Sequence, residues 1–348
     1  MTTVVIIKIF SLTALSFLLA MSAAPLFIRL LKKYRLGKRI RPASQTPVYA
    51  ELHQAKAGTP TMGGVLVWAT TLLLALGLAA LGTLFPRSGF STLSFLSRPQ
   101  TYLPLGALIA AAIVGLCDDL FNIYAIGPSG GGLRARHRLL LYSIVAALGA
   151  YWFYVKLEWD ILRIPFFGDV TIGLWYVPLF FIVIVSTAFS VNEIDGLDGL
   201  AAGTLLAAFG AYGAIAFAQG KVDLAAFCGV IVGALLAFIW YNIHPAQFFM
   251  GDTGAMALGV TLGVVAMLTN AALLLPLIGL LFVLESLSVI IQIFSRKVFG
   301  RKIFRSAPLH HHLEAIGWKE PQIVMRFWII AIVAAVFGLI LALLDILR

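Results

Sequence analysis

Ten long apolar runs separated by short polar connections make up most of the chain. Each run is close to the roughly 20 apolar residues that a helix needs to cross the hydrocarbon core of a bilayer. Lipid offers the backbone no hydrogen-bond partners, so segments that cross it are expected to be helical. The pattern predicts an all-α polytopic membrane protein with about ten transmembrane helices. The predicted spans are approximately 4–31, 62–84, 101–118, 138–157, 174–190, 199–217, 222–241, 254–270, 272–294 and 326–347.

Composition supports a membrane protein. Hydrophobic residues form 61% of the 348 residues and charged residues only 11%, which excludes an ordinary soluble domain. The net charge of +10 is typical of a nucleic-acid binder or of a membrane protein with basic cytoplasmic loops, and the apolar runs favour the second. We therefore expect a lipid bilayer and no nucleic acid as partner, with a single integral-membrane domain over residues 1–348. Cys117 and Cys228 lie in or beside apolar runs and predict no disulfide framework.

The basic residues predict the orientation. The first run resembles a signal peptide, with 20–24 as a processing site, but its basic cluster follows the run and so favours an uncleaved span with an outside N-terminus. Ten crossings then place both termini outside. Most of the 25 Lys and Arg residues fall on the connections that become cytoplasmic, as the positive-inside rule requires. The cluster after the first span comprises Lys32, Lys33, Arg35, Lys38, Arg39 and Arg41.

Acidic residues collect on the same predicted side, although orientation does not require them there. Mg²⁺ is held by carboxylates together with substrate phosphate oxygens, so a magnesium site would explain them. Two adjacent Asp residues also repel each other, which favours a bound cation at the end of the third span. The alternatives are an interfacial stop signal at that position and a helix N-cap at Asp252 or Thr253. The acids are Asp118, Asp119, Glu193, Asp195, Asp198 and Asp252.

The stretch 192–200 places three carboxylates and two glycines between two predicted spans. Asp195 and Asp198 are three residues apart and share one face of a helical turn. Gly196 and Gly199 would let a ligand approach the backbone closely. Membrane proteins keep ionisable groups near the hydrocarbon where these groups pair or do chemistry, so the stretch predicts a functional site.

Basic groups are available on the same side. Lys56 opens the segment 56–64, whose backbone donors and hydroxyls, including that of Thr61, would suit phosphates, although Gly, Thr and Pro also build ordinary turns. The segment is not a Walker A sequence. Three arginines before the fourth span either hold an anionic headgroup or act only as topology determinants: Arg134, Arg136 and Arg138.

Two further groups of polar residues follow. Glu285, Ser288 and Gln292 form one polar stripe on the ninth predicted helix, and a carboxylate there is expected to face a polar cavity. Three consecutive histidines lie in the last cytoplasmic loop. They lack the spacing and nearby cysteines of a zinc site, so phosphate binding or proton transfer is the better interpretation. They are His310, His311 and His312.

These motifs resemble those of the polyprenyl-phosphate N-acetylhexosamine-1-phosphate transferases. The resemblance covers essentially the whole chain, and the triple histidine is its most specific element, since it marks the branch that acts on UDP-MurNAc-pentapeptide. The motifs occur, in order, at 57–64, 118–119, 195–200, 249–254 and 308–314.

The resemblance implies a ten-helix homodimer in the bacterial inner (plasma) membrane, with an active-site cleft on the cytoplasmic face. The implied reaction moves phospho-MurNAc-pentapeptide from UDP-MurNAc-pentapeptide to undecaprenyl phosphate, giving lipid I and UMP with Mg²⁺. Asp252 is the expected Mg²⁺ ligand. Asp118 and Asp119 form the catalytic pair, one of them the candidate base, and both are also expected at the metal site. His310, His311 and His312 complete the catalytic site.

Other residues are implied at the nucleotide end. Phe249 would stack on uracil, and Lys56 would bind near the nucleotide. The family often has Leu-Thr where this chain has Glu193-Ile194, which removes a hydroxyl and adds a charge beside the nucleoside. The uridine pocket is expected to include Asn192, Asp195, Gly196, Leu197 and Asp198. Further substrate-site residues are expected to be Thr61, Arg138, Glu285 and Gln292.

Two alternatives remain at this point. One is a relative that acts on UDP-GlcNAc. The other is a secondary transporter with acids that bind coupling ions, although such sites usually lie near the membrane midplane and only Glu285 is placed that deep. For the transferase, the lipid phosphate is already largely ionised near neutral pH, since phosphomonoesters have a second pKa of about 6. Direct attack by that phosphate is therefore favoured over a covalent phospho-Asp intermediate.

Overall fold

The computed structural model describes residues 2–37, 56–97, 100–127 and 131–348. Of the basic cluster after the first span, Lys38, Arg39 and Arg41 lie outside these residues. The fold is a helical bundle. Its helices are α1 (Thr2–Lys33), α2 (Gly64–Leu84), α3 (Phe90–Leu93), α4 (Tyr102–Ile123), α5 (Ala135–Tyr151), α6 (Tyr176–Ile194), α7 (Leu200–Ala218), α8 (Val222–Asn242), α9 (Gly251–Leu268), α10 (Leu275–Ile278), α11 (Leu280–Val298), α12 (Leu309–Ala315) and α13 (Glu320–Ile346).

The described helices agree with the predicted spans. Nine of them are long and apolar enough to cross a membrane, and there are up to ten if a bent pair is counted as one span. The prediction of a polytopic helical membrane protein is therefore confirmed. The last helix begins at Glu320, six residues before the predicted start at 326, because its first turn is polar and hydropathy alone does not detect it.

The ninth predicted span, 272–294, is broken rather than continuous. Residues Ala272–Ile278 and Leu280–Val298 meet at a bend of 81°. Gly279 lies at the bend, where a Cβ would come within 2.9 Å of the Phe282 ring. The residues on both sides of Gly279 are apolar, so hydropathy does not detect the bend.

A β-hairpin was not predicted and modifies the all-α description. Strands β1 (Ile161–Ile164) and β2 (Gly168–Thr171) pair antiparallel between α5 and α6. The hairpin is tied to the C-terminal end of α13, because Arg163 pairs with Asp345 and the backbone N–H of Phe166 donates to the Asp345 carboxylate at 2.8 Å.

Helix α9 forms the centre of the bundle. All of its residues from Thr253 to Leu268 are buried, and many are Gly, Ala or Thr. Small residues let helix backbones approach closely within a membrane. A Cβ at Gly259 would lie 2.9 Å from the Cα of Ala188, and one at Gly115 would overlap the backbone of Asp252. This packing fixes the start of α9, where Asp252 lies, against α4 and α6.

The close contact between α2 and α9 leaves no room for a side chain at Gly64. A Cβ at Gly64 would overlap the Cα of Gly254, whereas a Cβ at Gly77 on the same helix would meet nothing within 4 Å. Overpacking of a tight contact costs about 1–3 kcal/mol. We expect Gly64→Ala to lower the thermal unfolding midpoint of the purified protein in detergent, measured by intrinsic fluorescence. Gly77→Ala is the control and should leave the midpoint unchanged; equal midpoints for both variants would contradict the contact.

Candidate active site

Polar side chains from distant segments meet at one end of the bundle. The segment 56–63 lies here, because the backbone N–H of Thr61 donates to Leu36 O, that of Phe249 to Pro60 O and that of Gly63 to Phe249 O. The C-terminal parts of α4 and α6 and the N-terminal ends of α5, α9 and α13 contribute the remaining side chains. The structure thus brings the predicted acidic and basic motifs to a common region.

Arg138 lies at the centre of the first group of contacts, the Arg138 cluster, which consists of Asp118, Arg138, Asn192 and Asp252. Its Nε is 2.6 Å from Asp118 Oδ2, and its Nη2 is 3.2 Å from Asp252 Oδ2. Its Nη1 donates to Asn192 Oδ1 at 3.2 Å, and Asn192 Nδ2 donates to Asp252 Oδ1 at 2.6 Å. The two carboxylates are close enough to share one guanidinium. Arg138 therefore has side-chain partners in the site beyond any role as a topology determinant.

Asp119 caps helix α9 from a neighbouring helix. Its two carboxylate oxygens accept hydrogen bonds from the backbone N–H groups of Asp252 at 3.1 Å and Thr253 at 3.0 Å. An anion at a helix N-terminus is favoured by the free N–H groups and the helix dipole. The alternative of an N-cap at Asp252 or Thr253 is wrong, since the Asp252 carboxylate contacts Arg138 and Asn192 and the Thr253 hydroxyl donates to Ala112 O at 2.9 Å. Asp119 thereby holds Asp252 in place.

A second group, the Lys56 cluster, consists of Lys56, Asp198, His244 and Glu320. Lys56 Nζ donates to Asp198 Oδ1 at 2.7 Å and also bonds Glu320 Oε1. Asp198 Oδ2 lies 3.0 Å from Nδ1 of His244. Burial of the Lys56 ammonium would lower its pKa, but Glu320 and Asp198 outweigh this, and the pKa of Lys56 is raised. Phe249 lies beside the cluster, with Lys56 Nζ 5.9 Å from its ring centroid.

Sequence reasoning missed two members of the Lys56 cluster. Glu320 lies in the last predicted cytoplasmic connection, on the same predicted side as the other acids, and this position was a usable signal. His244 belongs to no motif or charge pattern that the sequence analysis identified. Among the described residues, Asp198, His244 and Glu320 could offer three ligand atoms within 4.8 Å of one another. The Lys56 ammonium bonds two of these three residues, so their ligand atoms take part in an ion-pair network.

The three histidines take different partners. His310 is fully buried, its Nδ1 is 3.1 Å from Glu285 Oε2, and its backbone N–H donates to Glu285 Oε1 at 3.2 Å. A Cβ at Gly196 would overlap the His310 imidazole, so this histidine packs on the turn that carries the predicted uridine residues. His311 Nδ1 is 2.7 Å from Glu314 Oε2, and His312 Nδ1 accepts the backbone N–H of Arg305 at 3.2 Å.

The remaining predicted residues lie near these groups. Asp195 is half-buried and Leu197 is buried, both in the turn between α6 and α7. Thr61 is buried beside Gly251, where a Cβ would lie 2.8 Å from its hydroxyl oxygen. Gln292 belongs to neither the Arg138 cluster nor the Lys56 cluster. Its amide bonds the backbone of Ile303 and Phe304, so it orders the loop after α11.

Comparison with known proteins gives consistent matches. Residues 101–270 match the glycosyl transferase family 4 model, and residues 56–66 match phospho-N-acetylmuramoyl-pentapeptide-transferase signature 1. The phospho-N-acetylmuramoyl-pentapeptide-transferase of Chloroflexus aurantiacus (strain ATCC 29366 / DSM 635 / J-10-fl) is 40% identical over 345 residues, covering 95% of this chain and 89% of the relative. That of Geobacillus sp. (strain WCH70) is 40% identical over 327 residues, covering 93% and 95%. That of Thermoanaerobacter sp. (strain X514) is 36% identical over 330 residues, covering 94% and 96%. With such identity over nearly its whole length, the chain belongs to the phospho-N-acetylmuramoyl-pentapeptide transferase family.

Proposed function

We propose that the chain transfers phospho-MurNAc-pentapeptide from UDP-MurNAc-pentapeptide to undecaprenyl phosphate, forming lipid I and UMP for peptidoglycan synthesis. The observation that carries this proposal is the 40% identity to named phospho-N-acetylmuramoyl-pentapeptide transferases over 95% of the chain. The polar groups gathered at one end of an otherwise apolar bundle agree with a reaction between a soluble sugar nucleotide and a lipid phosphate.

The proposal includes the location of the enzyme. The protein is a homodimer in the bacterial plasma membrane with both termini outside, and the site faces the cytoplasm. The distribution of Lys and Arg along the sequence supports this orientation, since most of them fall on the connections predicted to be cytoplasmic. A cytoplasmic site would also meet the sugar nucleotide where soluble precursors are available.

The Arg138 cluster has the donor set that Mg²⁺ prefers. Carboxylate and amide oxygens come from Asp118, Asp252 and Asn192, and no thiol or imidazole belongs to the cluster. Asp252 and Asp118 would hold Mg²⁺, which when bound supplies charge neutralisation at the diphosphate. Asp119 would act beside them by holding the start of α9, and Arg138 would offer positive charge to the phosphates.

The other residues would bind and orient the two substrates. Lys56 and Asp198, with Phe249 beside them, would bind the uridine end of the sugar nucleotide. The phosphate oxygen of undecaprenyl phosphate would attack the phosphorus attached to the sugar, and the bond from that phosphorus to UMP would break. Phosphoryl transfer of this kind depends mainly on positioning and charge neutralisation. His310, held by Glu285 against Gly196, would keep the turn 195–198 in position.

A purified-protein assay of UMP release tests the function. In detergent micelles without a membrane barrier, we expect release from UDP-MurNAc-pentapeptide that requires both undecaprenyl phosphate and Mg²⁺ and stops with EDTA. UDP-GlcNAc is the matched alternative substrate and should give no release. Release from UDP-GlcNAc alone would favour the GlcNAc-1-phosphate transferase, and no release from either would leave transport as the better hypothesis.

A further inference from the structure

Glu320 is the first residue of α13 and connects three segments that are distant in the chain. Its Oε1 accepts a hydrogen bond from the backbone N–H of Asp198 at 2.7 Å, and the same oxygen bonds the ammonium of Lys56. Its Oε2 lies 3.4 Å from Nδ1 of His244. One carboxylate thus sets the separation between Lys56 and the turn that carries Asp198.

These contacts are shielded from water. The side chain of Glu320 is 10% exposed, that of Asp198 is 3% exposed and that of Lys56 is 16% exposed. Charge pairs in such surroundings are screened less than pairs on an open surface. A hydrogen bond to a buried charged group also holds its partner in a narrow range of positions, so a change at Glu320 is transmitted to both Lys56 and Asp198.

Helix α13 holds Glu320 rigidly against this turn. Two helical turns further along, Trp328 Nε1 donates to the backbone oxygen of Gly199 at 3.1 Å. Residues eight apart are about 80° apart around a helix axis, so one side of α13 contacts the 198–199 turn twice. Glu320 also lies in the first turn of α13, where a negative charge is favoured by the helix dipole.

We propose that Glu320 is a positioning residue for the sugar nucleotide, which keeps Lys56 and Asp198 in the arrangement that binds the uridine diphosphate end. Glu320 acts through these two residues and not on the reacting phosphorus. The proposal rests on the proposed function for its substrate. It predicts that loss of Glu320 weakens binding of the nucleotide substrate and leaves the chemical step and the lipid acceptor largely unaffected.

The test compares Glu320→Ala, Glu320→Gln and the control Gln322→Ala in purified protein. Gln322 is an exposed residue in the same helical turn. For Glu320→Ala we expect KM for UDP-MurNAc-pentapeptide to rise about 10- to 100-fold, the effect of losing hydrogen bonds to charged groups. The value of kcat and the KM for undecaprenyl phosphate should stay within about twofold. Glu320→Gln keeps an oxygen acceptor and should show a smaller rise in KM for UDP-MurNAc-pentapeptide. Gln322→Ala should have the same KM as the wild type.

Two further measurements make the result decisive. UDP binding by calorimetry should weaken by a factor similar to the rise in KM. The thermal midpoint of Glu320→Ala should stay close to that of the control, because Asp198 still compensates the charge of Lys56. A KM and a UDP affinity within twofold of wild type would overturn the proposal. The proposal would also be overturned if kcat, the affinity for UDP-MurNAc-pentapeptide, the affinity for undecaprenyl phosphate and the thermal midpoint all fell together. That result would indicate that Glu320 supports the structure in general. If the wild type releases no UMP, the proposed function fails, and UDP binding alone then decides the role of Glu320.

Discussion

Replacement of Asp252 by Asn is expected to reduce UMP release by about 10³-fold while the protein remains folded. The carboxylate of Asp252 is the group proposed to hold Mg²⁺, and an amide at this position removes the negative charge that a divalent cation requires. Folding should survive because Arg138 keeps its contact with Asp118 at 2.6 Å, so no buried guanidinium is left without a carboxylate. The measurement is kcat at saturating substrates over a range of Mg²⁺ concentrations.

The matched control for this variant is Asp223→Asn. Asp223 is also an aspartate in the first turn of a membrane helix, but it pairs with Lys8 at 3.2 Å and belongs to neither cluster of the site. It should retain nearly full activity. Near-normal turnover in Asp252→Asn would remove Asp252 from the metal site. A loss of activity accompanied by aggregation, or by a lowered thermal midpoint, would show that the carboxylate is needed for the fold instead.

Hydropathy predicted the spans because lipid imposes one requirement on every crossing segment, and a run of apolar residues satisfies it wherever it occurs. The positive-inside rule predicted a common side of the membrane for the acidic motifs, and the structure brings Asp118, Asn192, Asp198 and Asp252 to one end of the bundle. Hydropathy could not reveal the bend at Gly279, since the residues on both sides of this glycine are apolar.

Pairing within the site was much less predictable than its location. Lys56 and Glu320 are in contact although 264 positions separate them, and nothing in the local sequence of either residue specifies the other. The catalytic pairing of Asp119 with Asp118 stays a prediction, while the structure shows that the Asp119 oxygens accept hydrogen bonds from the backbone at the start of α9. Adjacent residues on a helix point in different directions, so the sequence motif joins two residues with different environments.

Arg138→Gln is expected to lower kcat/KM for UDP-MurNAc-pentapeptide by about 10²- to 10³-fold, because its guanidinium contacts Asp118, Asn192 and Asp252 together. Removing one member of a buried ion-pair network leaves the remaining charges uncompensated, so the thermal midpoint should also fall. Mg²⁺ would partly replace the missing positive charge. We therefore expect added Mg²⁺ to reverse part of the fall in the thermal midpoint. Thermal unfolding with and without Mg²⁺ measures this effect.

Two further substitutions separate a role in the site from a role in topology. Arg136→Gln removes the same charge from an exposed position two residues earlier on α5, and it should leave both activity and midpoint unchanged. Arg138→Lys keeps the charge but loses the planar fork that reaches two carboxylates at once, so it should fold like the wild type and remain poorly active. If Arg138 served only the positive-inside rule, Arg138→Lys would be fully active, and Arg136→Gln and Arg138→Gln would behave alike. Equal behaviour of the two Gln variants would therefore exclude Arg138 from the proposed phosphate site, whereas a large difference between them would support its place there.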